Sequence, residues 1–163
     1  MSRVFARDSG ASPEHGGELP LSPHPHYVTP RGLALLHERR RQVQGRLDCI
    51  GADPLHAAER SALQRERRGL AARIDSAIEV DAAERSAERV GFGSAVEIVE
   101  LAAGEPGAHH RYQLVGEDEA DPALGFLSWL SPLAQALLRA RVGDVVVWRR
   151  PAGEIEVRVV SIL

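Results

Sequence analysis

Lysine is absent from the 163 residues, so all 20 members of the Lys+Arg total are arginine. That absence excludes a phosphate loop, whose Lys must reach the phosphates, and Schiff-base chemistry, which needs a Lys amine. Cysteine occurs once, as Cys49, which rules out an intramolecular disulfide or a Cys-based zinc site and fits a reducing compartment. Aromatic residues make up only 4% of the chain. No run approaches the roughly 18 apolar residues of a membrane helix, and the first thirty residues lack the apolar core of a signal peptide. A soluble, cytoplasmic protein without membrane contact is expected.

The net charge of −3 conceals an uneven distribution. Residues 31 to 73 hold ten Arg against five acids, residues 74 to 130 three against twelve, and residues 131 to 163 five against three. Such asymmetry suggests faces that meet different partners, although Arg on a long helix is more often a solvated face.

Residues 1–26 are rich in Pro, Gly, Ser and His without apolar periodicity, and composition predicts a flexible arm. His15, His24 and His26 on such an arm lack the scaffold that fixes metal geometry. Thr29-Pro30 then opens a helix, Thr as N-cap and Pro at the first helical position. Leu33, Leu36, Val43, Leu47 and Ile50 form a 3-4 stripe with Arg40 at its one polar position, and Gly51-Ala52-Asp53-Pro54 ends it. Leu63, Leu70, Ile74 and either Ala77 or Ile78 form a second stripe, with Arg60, Arg65, Arg67, Arg68 and Arg73 on other faces. An antiparallel coiled-coil hairpin over 27–80 is predicted, its narrow seam and charged surround making it project from the rest of the chain. Residues 81–90 read as a polar junction.

From Gly91 the apolar period changes to 2, and strands are predicted over 95–101, 111–115, 125–130, 144–149 and 154–162. One short helix interrupts them, capped by Ser131 with Pro132 at its first position, and Pro151-Ala152-Gly153 turns between the last two strands. The fold class is thus α+β: a helical hairpin followed, over 91–163, by a mostly antiparallel sheet with one helix packed on it.

Several motifs tempt. Asp118-Glu119-Ala120-Asp121 spells a helicase metal motif, but its companion phosphate-loop Lys is missing. Gly91-Phe92-Gly93 starts like a dinucleotide fingerprint, yet Val96 stands where the third Gly belongs. His109-His110 sits in what reads as a polar turn before a strand. Ser128, Ser131 and Ser161 lack a nucleophile elbow, and Trp129 and Trp148 read as packing residues.

Five blocks in register are more specific: Val90-Gly91-Phe92-Gly93-Ser94-Ala95-Val96; Tyr112-Gln113-Leu114-Val115-Gly116 followed by Asp118-Glu119-Ala120-Asp121; residues 131–138; Val142-Gly143-Asp144-Val145-Val146-Val147; and Pro151-Ala152-Gly153-Glu154. With the Arg-rich hairpin, they resemble the Gre family of bacterial transcription elongation factors over residues 27–163. The resemblance implies an FKBP-like C-terminal domain that docks on the rim of the RNA polymerase secondary channel, against the largest subunit. It places the docking contact at Ser131, Pro132, Leu133 and Ala134. It also implies a monomer without catalysis or cofactor of its own, contacting nascent RNA or DNA within the complex.

In that family acidic residues at the hairpin tip help hold the polymerase's second Mg²⁺, a hard cation that takes oxygen ligands, so that backtracked RNA is cleaved. The tip candidates are Asp48, Asp53 and Glu59, with Asp53 where the first family acid belongs and the metal shared with the polymerase. His56, however, stands where the family has Glu. The arms look shorter by roughly seven to ten residues, or about 10 to 15 Å of reach, similar to the Rnk-like branch. Two readings follow: a channel-occupying regulator whose basic face of Arg60, Arg65, Arg67 and Arg68 meets acidic walls or phosphates, or a Mg²⁺-dependent stimulator of cleavage. From another class, the sheet domain could be a prolyl isomerase, though three Phe and two Tyr leave little for an aromatic pocket.

Overall fold

The computed structural model describes residues 23–81, 88–102 and 105–163. Most of the arm expected over 1–26, and positions 82–87 of the expected junction, lie outside the described residues.

A two-residue strand, β1 (Tyr27–Val28), leads into α1 (Pro30–Ile50). Thr29 caps α1 as its sequence requires, its hydroxyl accepting the Gly32 N–H, and Pro30 occupies the first turn. After a 3₁₀ turn at Pro54–His56, α2 (Ala57–Ser76) runs back along α1. The pairs Arg39–Glu66 and Arg46–Glu59 fix the antiparallel alignment. Val28, Leu36, Val43 and Leu70 are buried between them, with Leu33, Leu47, Leu63, Ile74 and Ala77 packed around, and Arg40 is exposed. The 21 residues of α1 span about 32 Å at 1.5 Å each.

Ala77, not Ile78, completes the seam. The helix stops at Ser76, and Ile78 belongs to β2 (Ile78–Glu79), which pairs in parallel with β1. This small sheet closes the base of the hairpin and was not legible in the sequence, because two-residue strands show no period.

The second part is a five-stranded sheet of order β5-β4-β3-β7-β6. Its strands are β3 (Ala95–Ala102), β4 (Glu105–Val115), β5 (Phe126–Ser128), β6 (Val145–Arg150) and β7 (Gly153–Ile162). All neighbours are antiparallel except β4 and β5. β4 begins six residues earlier than expected, so His109 and His110 lie within a strand, opposite Val99 and Ile98, and not in a turn. β5 is shorter than expected because the chain turns at Trp129-Leu130 toward the next helix.

That helix, α3 (Pro132–Leu137), is capped by Ser131, whose Oγ accepts the Ala134 N–H at 3.3 Å. Leu133, Ala134 and Leu137 press onto Val96, Ile98, Leu114, Leu127, Val157 and Val159 to make the core. No helix among the described residues is long and apolar enough to cross a membrane. Leu137→Ala removes a fully buried side chain and should cost about 3 kcal/mol in urea unfolding, whereas Leu35→Ala, at a position 46% exposed, should cost well under half of that.

Candidate functional site: tip, docking segment and joint

The hairpin tip is built by local capping. Gly51, at φ 54°, ends α1 in a conformation few side-chain-bearing residues adopt, and Asp53 then turns the chain. Asp53 Oδ1 accepts the Leu55 N–H at 2.9 Å, and its Oδ2 lies 3.4 Å from His56 Nδ1. Arg60 Nη1 donates to the Gly51 carbonyl at 2.6 Å, tying the second helix to the end of the first. Leu55 stands at the apex, 90% exposed.

The three candidate tip acids are engaged separately. Asp48 accepts from Gln44 Nε2 at 2.8 Å, Asp53 caps the turn, and Glu59 receives Arg46 Nε at 2.7 Å. That hydrogen bond from Arg46 holds the Glu59 carboxyl below its ordinary range. The acids therefore do not converge, and among the described residues no group of three or more His, Cys, Asp or Glu side chains could hold a metal ion. The tip does not fit a metal site of its own. Of the proposed basic face, Arg60 is spent on the turn, Arg67 donates to Gln44 at 2.8 Å, and Arg65 and Arg68 are exposed on α2.

In the segment expected to dock, the structure divides the four candidates. Leu133 and Ala134 face inward, 2% and 0% exposed, and so belong to the core and not to a contact surface. Helical geometry explains the split: the first turn must bury its apolar side to attach the helix at all. Pro132 is exposed and Ser131 half-buried, and Gln135, held by the Trp129 carbonyl at 2.7 Å, stands beside them on the accessible side.

The residues that decide where the tip points lie elsewhere, in Asp118 and Glu119, whose helicase reading fails for want of a phosphate-loop Lys but which belong to one of the five family-like blocks. Glu119 is 6% exposed. Its Oε1 accepts the N–H of Thr29 at 3.2 Å and of Gly116 at 3.3 Å, and its Oε2 accepts the Thr29 hydroxyl at 2.8 Å. Because the same hydroxyl accepts the Gly32 N–H, a chain of bonds runs from the sheet domain into the N-terminus of α1, where negative charge also meets the helix dipole favourably. A Cβ on Gly32 would stand 2.6 Å from Glu119 Oε1, and one on Gly116 2.4 Å from the Tyr27 carbonyl, so both glycines are required by close approach.

Asp118 reaches both sides of the hairpin's base: Oδ2 lies 2.7 Å from His26 Nε2, just before β1, and Oδ1 accepts from Arg73 on α2. Residues His24 and His26, assigned to the arm by composition, are thus part of the joint, His24 packing edge-on to Trp129. Tyr27 is flanked by Phe92 at 5.7 Å and Trp129 at 5.3 Å, and Arg31 covers the Phe126 ring at 4.2 Å. The family-like block at 118–121 marked these positions without giving their role, and no local pattern names their partners. Glu119→Ala leaves three donors unmatched and should lower stability by about 3 kcal/mol in urea unfolding, while Glu119→Gln, which keeps one acceptor oxygen, should lose less.

The sequence profile described as "Transcription elongation factor, GreA/GreB, C-term" matches residues 85–163. The GreB transcription elongation factor of Neisseria meningitidis serogroup B (strain MC58) is 37% identical over 101 residues, 61% of this chain and 60% of the relative. GreA of Nitratidesulfovibrio vulgaris is 46% identical over 77 residues, 47% of this chain and 46% of the relative, so the matches span about half to three-fifths of these proteins. GreA of Halalkalibacterium halodurans is 32% identical over 155 residues, covering 84% of this chain and 96% of the relative. Among solved structures, the GreA factor homolog 1 (Gfh1) of Thermus thermophilus is 28% identical, covers 86% of this chain and 99% of its own, and superposes with a TM-score of 0.40. By the extent and identity of these matches, the chain belongs to the GreA/GreB family of transcription elongation factors.

Proposed function

We propose that this chain binds bacterial RNA polymerase and modulates transcription by occupying the secondary channel, without catalysis of its own. On this reading the FKBP-like sheet domain docks at the channel rim on the largest subunit, through the surface around Ser131, Pro132 and Gln135. The coiled-coil hairpin then enters the channel or lies over it, where its arginines meet acidic walls or the phosphates of nascent RNA or DNA. The action is that of a cytoplasmic monomer.

The observation that carries this reading is the separate engagement of Asp48, Asp53 and Glu59, which leaves no preassembled set of oxygens at the tip. A second reading keeps the docking and adds transcript cleavage on a Mg²⁺ held by the polymerase. It is favoured by Asp53, whose side chain is 45% exposed and has no Arg partner among the described residues. In that case Asp53 would contribute one carboxylate oxygen, and its removal would be decisive.

The two readings separate in one assay. Stalled, backtracked polymerase complexes are incubated with the protein and Mg²⁺, and complex formation and RNA length are followed together. Binding with intact RNA is expected, together with an unchanged effect on elongation in Asp53→Ala. Shortened RNA that disappears in Asp53→Ala would establish the cleavage reading, and absence of binding would remove both.

A further inference from the structure

The hairpin's two flanks carry different charge. On one, Arg39–Glu66 and Arg46–Glu59 cross the seam as ion pairs, each at 2.7 Å. On the other, one helical step of about 100° away, arginines stand on both helices. Arg40, Arg41 and Gln44 from α1 face Arg67, Arg68 and Ala71 from α2 across a groove of about 500 Å³. Gln44 organises its floor, accepting from Arg67 Nη1 and donating to Asp48 Oδ1, both at 2.8 Å.

Among the described residues no carboxylate lines this groove. Among the described residues Arg40 has neither a hydrogen-bond nor an ion-pair partner. Arg41 is paired with Glu38, and across the concavity the guanidinium groups of Arg40 and Arg67 repel each other, an effect that screening in water reduces without abolishing. An anion with several charges close together relieves that repulsion and meets several N–H forks at once. The two ends of the groove are acidic: Glu38 accepts from Arg41 Nε at 3.1 Å toward the base, and Asp48 accepts from Gln44 toward the tip. A long strand laid through the groove would run its phosphates past both carboxylates, whereas a compact ion would not.

We propose that this groove binds a compact polyphosphate, either inorganic triphosphate or the triphosphate end of a nucleotide. Every residue of the site lies on the hairpin, separate from the surface around Ser131, Pro132 and Gln135 proposed to dock at the channel rim. Its central cations are Arg40 and Arg67, one from each helix, and the Arg67–Gln44 bond presents the second at a fixed height above the floor.

The test is calorimetric titration of the full chain with sodium triphosphate at low ionic strength. One saturable site is expected, weakening as salt is raised. Arg40→Gln, which breaks no contact within the protein, should weaken binding by about tenfold, and Arg40→Gln with Arg67→Gln should abolish it. Arg39→Gln, on the neutralised flank, should change affinity by less than about twofold. Competition between adenosine triphosphate and inorganic triphosphate for one site would identify the triphosphate as the recognised part. The proposal is overturned by absence of saturable binding, by equal losses in Arg39→Gln and Arg40→Gln, or by a single-stranded RNA oligomer that binds while triphosphate fails to displace it. Circular dichroism of each variant shows whether the helices are retained, and the Arg40→Gln arm stands even where Arg67→Gln loosens the hairpin.

Discussion

A carboxyl group in an apolar interior must collect donors, since an unmatched one costs several times what a single hydrogen bond contributes. Glu119 collects them from two parts of the chain about ninety residues apart: its own turn, through Gly116, and the start of α1, through Thr29. The same bonds that satisfy the acid finish the helix N-terminus, so neither the turn at 117–119 nor the first turn of α1 is complete without the other. Around this core Asp118 holds α2 through Arg73, the Tyr27 ring fills the gap to Phe92 and Trp129, and β1 pairs with β2. The direction of the hairpin is thereby set at its base.

A lever fixed at its base converts sequence changes at the far end into changes of reach or charge, not of aim. The tip is held by an Asp cap, an Arg60 clamp on the Gly51 carbonyl and an Arg46–Glu59 pair, so its carboxylates are structural before they are chemical. The flanks divide the remaining charge. One is neutralised by cross-seam pairs, which at an exposed position contribute little stability but do set register. The other sets Arg40 and Arg67 on facing helices beside one groove, with Arg41 paired to Glu38.

Local rules carried the sequence reading far. Thr29-Pro30, Gly51 and Ser131-Pro132 mark element ends whose partners lie within three or four residues, and the structure places all three as expected. The heptad stripe was right because a two-helix seam has a period of its own, and so was Arg40 as its exposed exception. What could not be read were pairings across long separations. The Asp118 and Glu119 partners outside their own turn are 45 to 92 residues away, β1 and β2 are too short to show alternation, and His109-His110 looked like a turn because two adjacent polar residues show no apolar alternation. Leu133 and Ala134 failed as contact residues for a related reason: a motif shared with a family marks positions that matter without saying whether they face partner or core.

The central claim is that the joint holds the hairpin in one direction. Cys49, the chain's single cysteine, is exposed in the last turn of α1 and provides a label site near the tip. A second site, Ala152→Cys in the turn between β6 and β7, reports on the sheet domain. The distance between spin labels at the two positions, measured by pulsed electron paramagnetic resonance, should show one narrow distribution that broadens in Glu119→Ala. A broad distribution in the chain with Glu119 intact, or one left unchanged by its removal, would contradict the account.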